Sequence, residues 1–192
     1  MIAILKYNAG NIRSVQNALN RLGYKSIITD EPQEIRNAEK VIFPGVGEAS
    51  SAMKYLRERG LDKIITSLDQ PVLGICLGLQ LMCRHSEENN TECLGIFDAD
   101  VMRFPPVEKI PHMGWNNFLT LKGELFKGVS PQEDVYYVHS YYPSISACTS
   151  STCDYILPFS ASMQKENFFA TQFHPEKSAG VGERILQNFL EL

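Results

Sequence analysis

The stretch Pro71-Val72-Leu73-Gly74-Ile75-Cys76-Leu77-Gly78-Leu79-Gln80 decides how this 192-residue chain is read. An apolar run ends at Cys76 and a helical pattern starts at once, with glycines two residues before and two after. That arrangement predicts a nucleophile elbow carrying cysteine in place of serine. A sharp strand-to-helix turn needs small side chains where backbones pass close, and Gly74 and Gly78 supply them. The turn lifts the sulfur out of the sheet to a helix N-terminus, whose partial positive charge favours a thiolate. The free amides there, Leu77 N–H first, can face an oxyanion. A cysteine closing a core strand is the blander reading, and the glycine frame between strand and helix argues against it.

Upstream of the elbow, strand and helix signals alternate. Ile2–Leu5 is a short apolar run followed by the turn Asn8-Ala9-Gly10-Asn11. Ile12, Val15, Leu19 and Leu22 then recur at helical spacing, with Gly23 as a stop. Ser26–Thr29, Val41–Phe43 and Val72–Ile75 read as further strands, and 49–59 and 77–84 as helices. This alternation predicts an α/β fold with a parallel sheet covered by helices on both faces. Downstream the pattern changes. Residues 99–104, 117–121, 135–142 and 155–157 are strand-like. Residues 159–164 and 168–173 flank Lys165-Glu166-Asn167, a hairpin signal. Extra, partly antiparallel strands are therefore expected in the second half, with a last helix over 181–190 and a polar surface loop over 87–92. The length suits one domain over 1–192.

Thr171-Gln172-Phe173-His174-Pro175-Glu176-Lys177-Ser178 closes the hairpin's second strand. Residues i and i+2 of an extended chain share a side, so His174 and Glu176 face one way. A carboxylate could then hold one imidazole nitrogen while the other faces a thiol. His174 would take the Cys76 proton and later donate one to a leaving amine, and Glu176 would set the tautomer. Standing alone, His-Pro-Glu would be a surface loop; beside an elbow cysteine it completes a triad. Phe43-Pro44-Gly45-Val46-Gly47 follows the third strand at the same sheet edge as Cys76. The amides of Gly45, Val46 or Gly47 could supply a second oxyanion donor, or the segment could be a plain βα turn. The G-x-x-x-x-G-K-[ST] phosphate cradle is absent.

Composition excludes several classes. Hydrophobic residues make up 44% and charged residues 21%, with 18 basic against 22 acidic side chains and a net charge of −4. No basic run marks a nucleic-acid binder, and no apolar run reaches the roughly 18 residues of a membrane span. The apolar start is too short for a signal peptide. Five cysteines without C-x-x-C spacing suggest reduced thiols in the cytoplasm. The four scattered histidines give no reason to expect a metal, and no cofactor is expected.

The three segments P-G-x-G, G-x-C-x-G-x-Q and F-H-P-E resemble, as a set, the class I glutamine amidotransferases, the triad glutaminases. The resemblance implies a flavodoxin-like sheet, a triad of Cys76, His174 and Glu176, and hydrolysis of glutamine through a glutamyl thioester. It implies that Gly47, Gln80, Ser140 and Tyr141 approach the substrate and that Val46, Gly47 and Leu77 supply oxyanion donors. Narrower segments, Pro111-His112-Met113-Gly114-Trp115-Asn116, Tyr137-Val138-His139-Ser140-Tyr141 and His174-Pro175-Glu176-Lys177-Ser178, are similar to the histidine-biosynthesis branch. That likeness implies a heterodimer with the cyclase subunit of imidazole glycerol phosphate synthase, with Asn11, Trp115 and Lys177 toward the partner. Read from the residues alone, Pro111–Asn116 is a tight turn beside a core tryptophan, and alternation puts Tyr137, His139 and Tyr141 on one sheet face. Other branches, the anthranilate synthase component or the pyridoxal phosphate synthase subunit, remain the alternatives; Leu79 stands where the anthranilate group has His. A γ-glutamyl hydrolase, a cysteine peptidase and a non-catalytic module are more distant ones.

Overall fold

The computed structural model describes residues 1–192. The strands are β1 (Ile2–Leu5), β2 (Ser26–Thr29), β3 (Lys40–Phe43), β4 (Val72–Ile75), β5 (His85–Ser86), β6 (Thr91–Glu92) and β7 (Asp100–Arg103). They continue with β8 (His112–Asn116), β9 (Thr120–Leu121), β10 (Val135–His139), β11 (Tyr141–Pro143), β12 (Thr149–Tyr155), β13 (Leu157–Lys165) and β14 (Phe168–Thr171). The helices are α1 (Ile12–Arg21), α2 (Pro32–Asn37), α3 (Ala49–Glu58), α4 (Leu61–Thr66), α5 (Leu77–Met82) and α6 (Ala179–Leu190).

Eight strands form the main sheet in the order β2-β1-β3-β4-β14-β13-β12-β9. The first five are mutually parallel, β14 joining β4 in parallel register, and the rest are antiparallel. A parallel sheet needs cover on both faces, and side chains alternate to provide two cores. Ala3, Leu5, Val41, Phe43 and Val72 pack with α2 to α5 on one face. Ile2, Ile4, Ile42, Leu73 and Ile75 pack with Val15, Ala18 and Leu19 of α1 and Ile185, Leu186 and Phe189 of α6 on the other. Each such aliphatic or aromatic side chain, taken fully from water, contributes roughly 1.5–3 kcal/mol before the entropy of ordering is subtracted.

The predicted α/β class and the antiparallel second half agree with this architecture, and three expectations need correction. Pro111–Asn116 is mostly strand, not a tight turn: β8 pairs antiparallel with β10, because β-branched and aromatic residues of 135–139 offer it a complete ladder. Residues 155–157 are not one strand: Tyr155 closes β12 and Leu157 opens β13, and the chain turns between them at Ile156, φ 66°. The run 135–142 splits after His139; Tyr141 leaves Tyr137 and His139 and joins a separate four-stranded sheet, β11-β7-β5-β6, beside Arg103. The short helices α2 and α4 carry too few apolar repeats to be seen in the sequence.

Candidate active site

Cys76 sits between β4 and α5 with φ 54° and ψ −106°. A non-glycine residue in that region costs about 1–3 kcal/mol and persists only where packing over-determines it. The glycines explain how. A Cβ on Gly78 would overlap the Phe43 carbonyl, and one on Gly74 would lie 2.9 Å from Met82 Sδ and 3.0 Å from the Gly78 backbone. The elbow is thereby wedged against β3 and its own helix, and Cys76 is buried at the edge of a cleft.

His174 leaves the end of β14 just before the turn Pro175–Lys177. Its Nδ1 lies 2.8 Å from Glu176 Oε1, with both side chains wholly buried. Because a carboxylate accepts, Nδ1 carries the proton. Asn11 Nδ2 donates to the same Glu176 oxygen; its 3.4 Å approach to Nδ1 sets two donors side by side and is not a bond. His174 Nε2 is left buried without a hydrogen-bond partner. Burial opposes the imidazolium, but the negative charge of Cys76, followed by Glu176, outweighs it and raises His174 to about 10. Ser178 explains the rest of the motif: its Oγ donates to His174 O at 2.6 Å and accepts from Tyr136 N–H at 2.9 Å, bolting the turn to β10.

The cleft measures about 270 Å³. It is lined by Val46 and Gly47 after β3, by Cys76, Leu77 and Gln80 of the elbow and α5, and by His139, Ser140 and Tyr141 where β10 gives way to β11. Of the expected oxyanion donors, Leu77 N–H is already donating to Gly45 O at 3.2 Å, while Val46 and Gly47 N–H make no hydrogen bond within the protein. Tyr7 Oη anchors this loop through Pro44 O at 2.5 Å. Gln80 Nε2 donates to Tyr141 O and to Gln172 Oε1, which leaves its own Oε1 for a ligand.

Glu88 in the cleft and Gln172, buried against Cys76, escaped the sequence reading. Glu88 is the only carboxylate lining the cleft. Its Oε2 takes the Ala49 N–H at 2.7 Å, and partial burial raises its pKa. It lies in the segment read as a surface loop, and nothing local distinguishes it from the other acids there. Gln172 is fully buried with Nε2 3.5 Å from Cys76 Sγ. Its signal was available: it stands two residues before His174 and so shares its side of an extended chain.

The remaining expected residues lie outside the cleft. Trp115 is 55% exposed on β8 and meets Tyr136 edge-on. Lys177 is exposed with Nζ 6.0 Å from the centre of the Tyr136 ring. Beneath them His112 Nδ1 and His139 Nε2 are 3.0 Å apart, and His139 Nδ1 donates to Tyr141 O at 2.7 Å. No group of three or more His, Cys, Asp or Glu is placed to hold a metal ion.

A buried imidazole–carboxylate pair beside an elbow cysteine can do acyl transfer on an amide. Comparison with known proteins narrows that chemistry. The family described as "Glutamine amidotransferase class-I" matches residues 3–192. The chain is 60% identical to the imidazole glycerol phosphate synthase subunit HisH of Bacteroides fragilis (strain YCH46), covering 100% of this chain and 99% of that one. It is 43% identical to the same-named subunit of Escherichia coli (strain K12), again over 100% and 99%. A solved glutamine amidotransferase superposes with a TM-score of 0.73 at 18% identity, covering 99% of this chain and 97% of the other, a likeness of fold. With the family's match running nearly end to end, this chain belongs to the class I glutamine amidotransferases.

Proposed function

We propose that this chain is the glutaminase subunit of an imidazole glycerol phosphate synthase, docking with a cyclase subunit to which it passes ammonia for histidine biosynthesis. Two relatives of that name, at 60% and 43% identity over full length, support the assignment over the anthranilate and pyridoxal phosphate branches. The observation that carries the chemistry is the buried, unpartnered His174 Nε2, held from behind by Glu176.

In this reading the Cys76 sulfur attacks the side-chain amide carbon of glutamine, and the carbonyl electrons move onto oxygen. The Val46 and Gly47 N–H groups are free to receive that oxyanion; Leu77 N–H joins them once the Gly45 carbonyl turns away. Collapse breaks the C–N bond as His174 Nε2 gives its proton to the leaving nitrogen, releasing ammonia and leaving a glutamyl thioester. Neutral His174 then takes a proton from water, which attacks the thioester and frees glutamate. Glu176 holds the tautomer throughout. Glu88 suits the α-ammonium of glutamine, and Gln80 Oε1, Ser140 and Tyr141 line its path. Asn11, Trp115 and Lys177 face the cyclase. The cytoplasm, where five unpaired cysteines stay reduced, suits such an enzyme, and no helix is long and apolar enough to cross a membrane.

The test is Cys76→Ala assembled with the cyclase subunit. Glutamine-dependent synthesis should vanish while synthesis from added ammonium salt persists. Loss of both activities, or retention of both, would remove Cys76 as nucleophile.

A further inference from the structure

Besides the imidazole, a buried thiolate needs hydrogen-bond donors to replace lost water. The backbone amide that follows Cys76 does not serve, because Leu77 N–H is committed to Gly45 O. The amide of Gln172 does. Its Nε2 is 3.5 Å from Cys76 Sγ, in a side chain with no exposure.

The orientation of that amide follows from a fixed acceptor. Tyr141 O is a backbone carbonyl, so the group 3.1 Å from it on Gln80 must be the NH₂. The same NH₂ lies 3.0 Å from Gln172, which must therefore present its oxygen. Gln172 NH₂ is then forced toward the sulfur. The backbone holds this arrangement, with Gln172 N–H donating to Ala161 O at 2.8 Å and His174 N–H to Tyr136 O at 2.9 Å on either side of Phe173.

We infer that Gln172 is a further catalytic residue: its side-chain N–H donates to the Cys76 thiolate, and through Gln80 it links the sulfur to the wall that receives the substrate. The inference rests on the glutaminase reading of the cleft. Gln80 shares one polarised chain with both the pocket wall at Tyr141 and the nucleophile, so a ligand that pulls on Gln80 Oε1 strengthens the N–H donated to Gln172 and, in turn, the one donated to sulfur.

The test uses the full chain and its complex with the cyclase. Gln172→Met keeps the length and volume of the side chain without the donor. Gln172→Glu keeps the acceptor for Gln80 and sets a carboxylate against the sulfur. Iodoacetamide alkylation of Cys76, followed peptide by peptide because four other cysteines are present, should slow about tenfold in Gln172→Met and further in Gln172→Glu at pH 7. The pH profile of alkylation should move to higher pH in both. With the cyclase present, kcat for glutamine should fall in the same order, with KM changed less. Alkylation rates and profiles equal to wild type in both folded variants would overturn the role of Gln172. Failure of wild-type Cys76 to label, or labelling unrelated to glutamine turnover, would instead overturn the glutaminase reading.

Discussion

Asn11 and His174 share one acceptor: both donate to Glu176 Oε1, from opposite ends of the chain. Glu176 is therefore positioned by an N–H from the first βα turn as well as by the imidazole that it orients. Asn11 can do this because it adopts φ 71° at the start of α1, a conformation asparagine tolerates better than most residues. Its expected place at the partner interface thus gains a second task. Asn11→Gly, which accepts the same backbone, should lower kcat about threefold to tenfold, less than Glu176→Gln. His174→Ala should cost more than either, because it removes the proposed base itself. Steady-state kinetics with a parallel measurement of cyclase affinity separates the roles; an unchanged kcat with weakened docking would leave Asn11 to the interface alone.

Glu88→Gln keeps an oxygen for Ala49 N–H but removes the only carboxylate lining the cleft. A hydrogen bond to a charged group is worth about 1.5–3 kcal/mol, so KM for glutamine should rise about tenfold or more with kcat little changed. A KM equal to wild type would mean that the α-ammonium binds elsewhere.

His174 should be an imidazolium in the resting protein well above neutral pH, since it titrates at about 10. Burial alone would push it down, so the charge of Cys76 is what holds it up. In Cys76→Ser the ¹⁵N shifts of the His174 ring should titrate at distinctly lower pH, with Glu176 supplying the residual support. An unchanged titration would show that the sulfur carries no charge toward the ring.

His112 and His139 behave oppositely. Burial, in a box of Tyr137, Tyr155, Phe104 and Phe159, lowers them to about 4 and about 3. For His139 the hydrogen bond to Tyr141 O opposes the shift, and the charges of His112 and His174 add to it. The sign follows from proton counting: below the ordinary value of 6.5 the unfolded chain binds protons that the folded chain refuses. Stability should therefore fall as pH drops from 6.5 toward 4. Urea midpoints at pH 7 and pH 5 should differ less in His112→Phe than in wild type. Equal differences would mean that the pair does not govern acid sensitivity.

Gly78→Ala should destabilise by about 2 kcal/mol or more, because its methyl meets the Phe43 carbonyl across the elbow. Gly180→Ala in α6, where nothing lies within 4 Å, should be neutral or raise Tm slightly. Equal melting temperatures for the two variants would mean that β3 yields and that the elbow is not wedged as described.

Local pattern determined much of this protein. Alternating apolar runs gave the parallel strands, and Gly74 and Gly78 marked the elbow; the His-Pro-Glu order set His174 and Glu176 close, although a tight helical turn over Pro175–Lys177, not an extended chain, brings them together. Each depends on residues a few positions apart, where torsional preference and side-chain period speak directly. What only the tertiary structure decided lies between segments distant in sequence. Pro111–Asn116 became a strand because β10 was there to pair with it. Glu88 entered the cleft because α3 presented Ala49 N–H to it. Leu77 N–H was taken by a carbonyl on another loop, and Gln172 was turned toward the sulfur by Gln80 and Tyr141. Hydrogen bonds of this kind are chosen by which donors and acceptors folding leaves unpaired in one small volume, a property of the packed chain that no single stretch of residues carries.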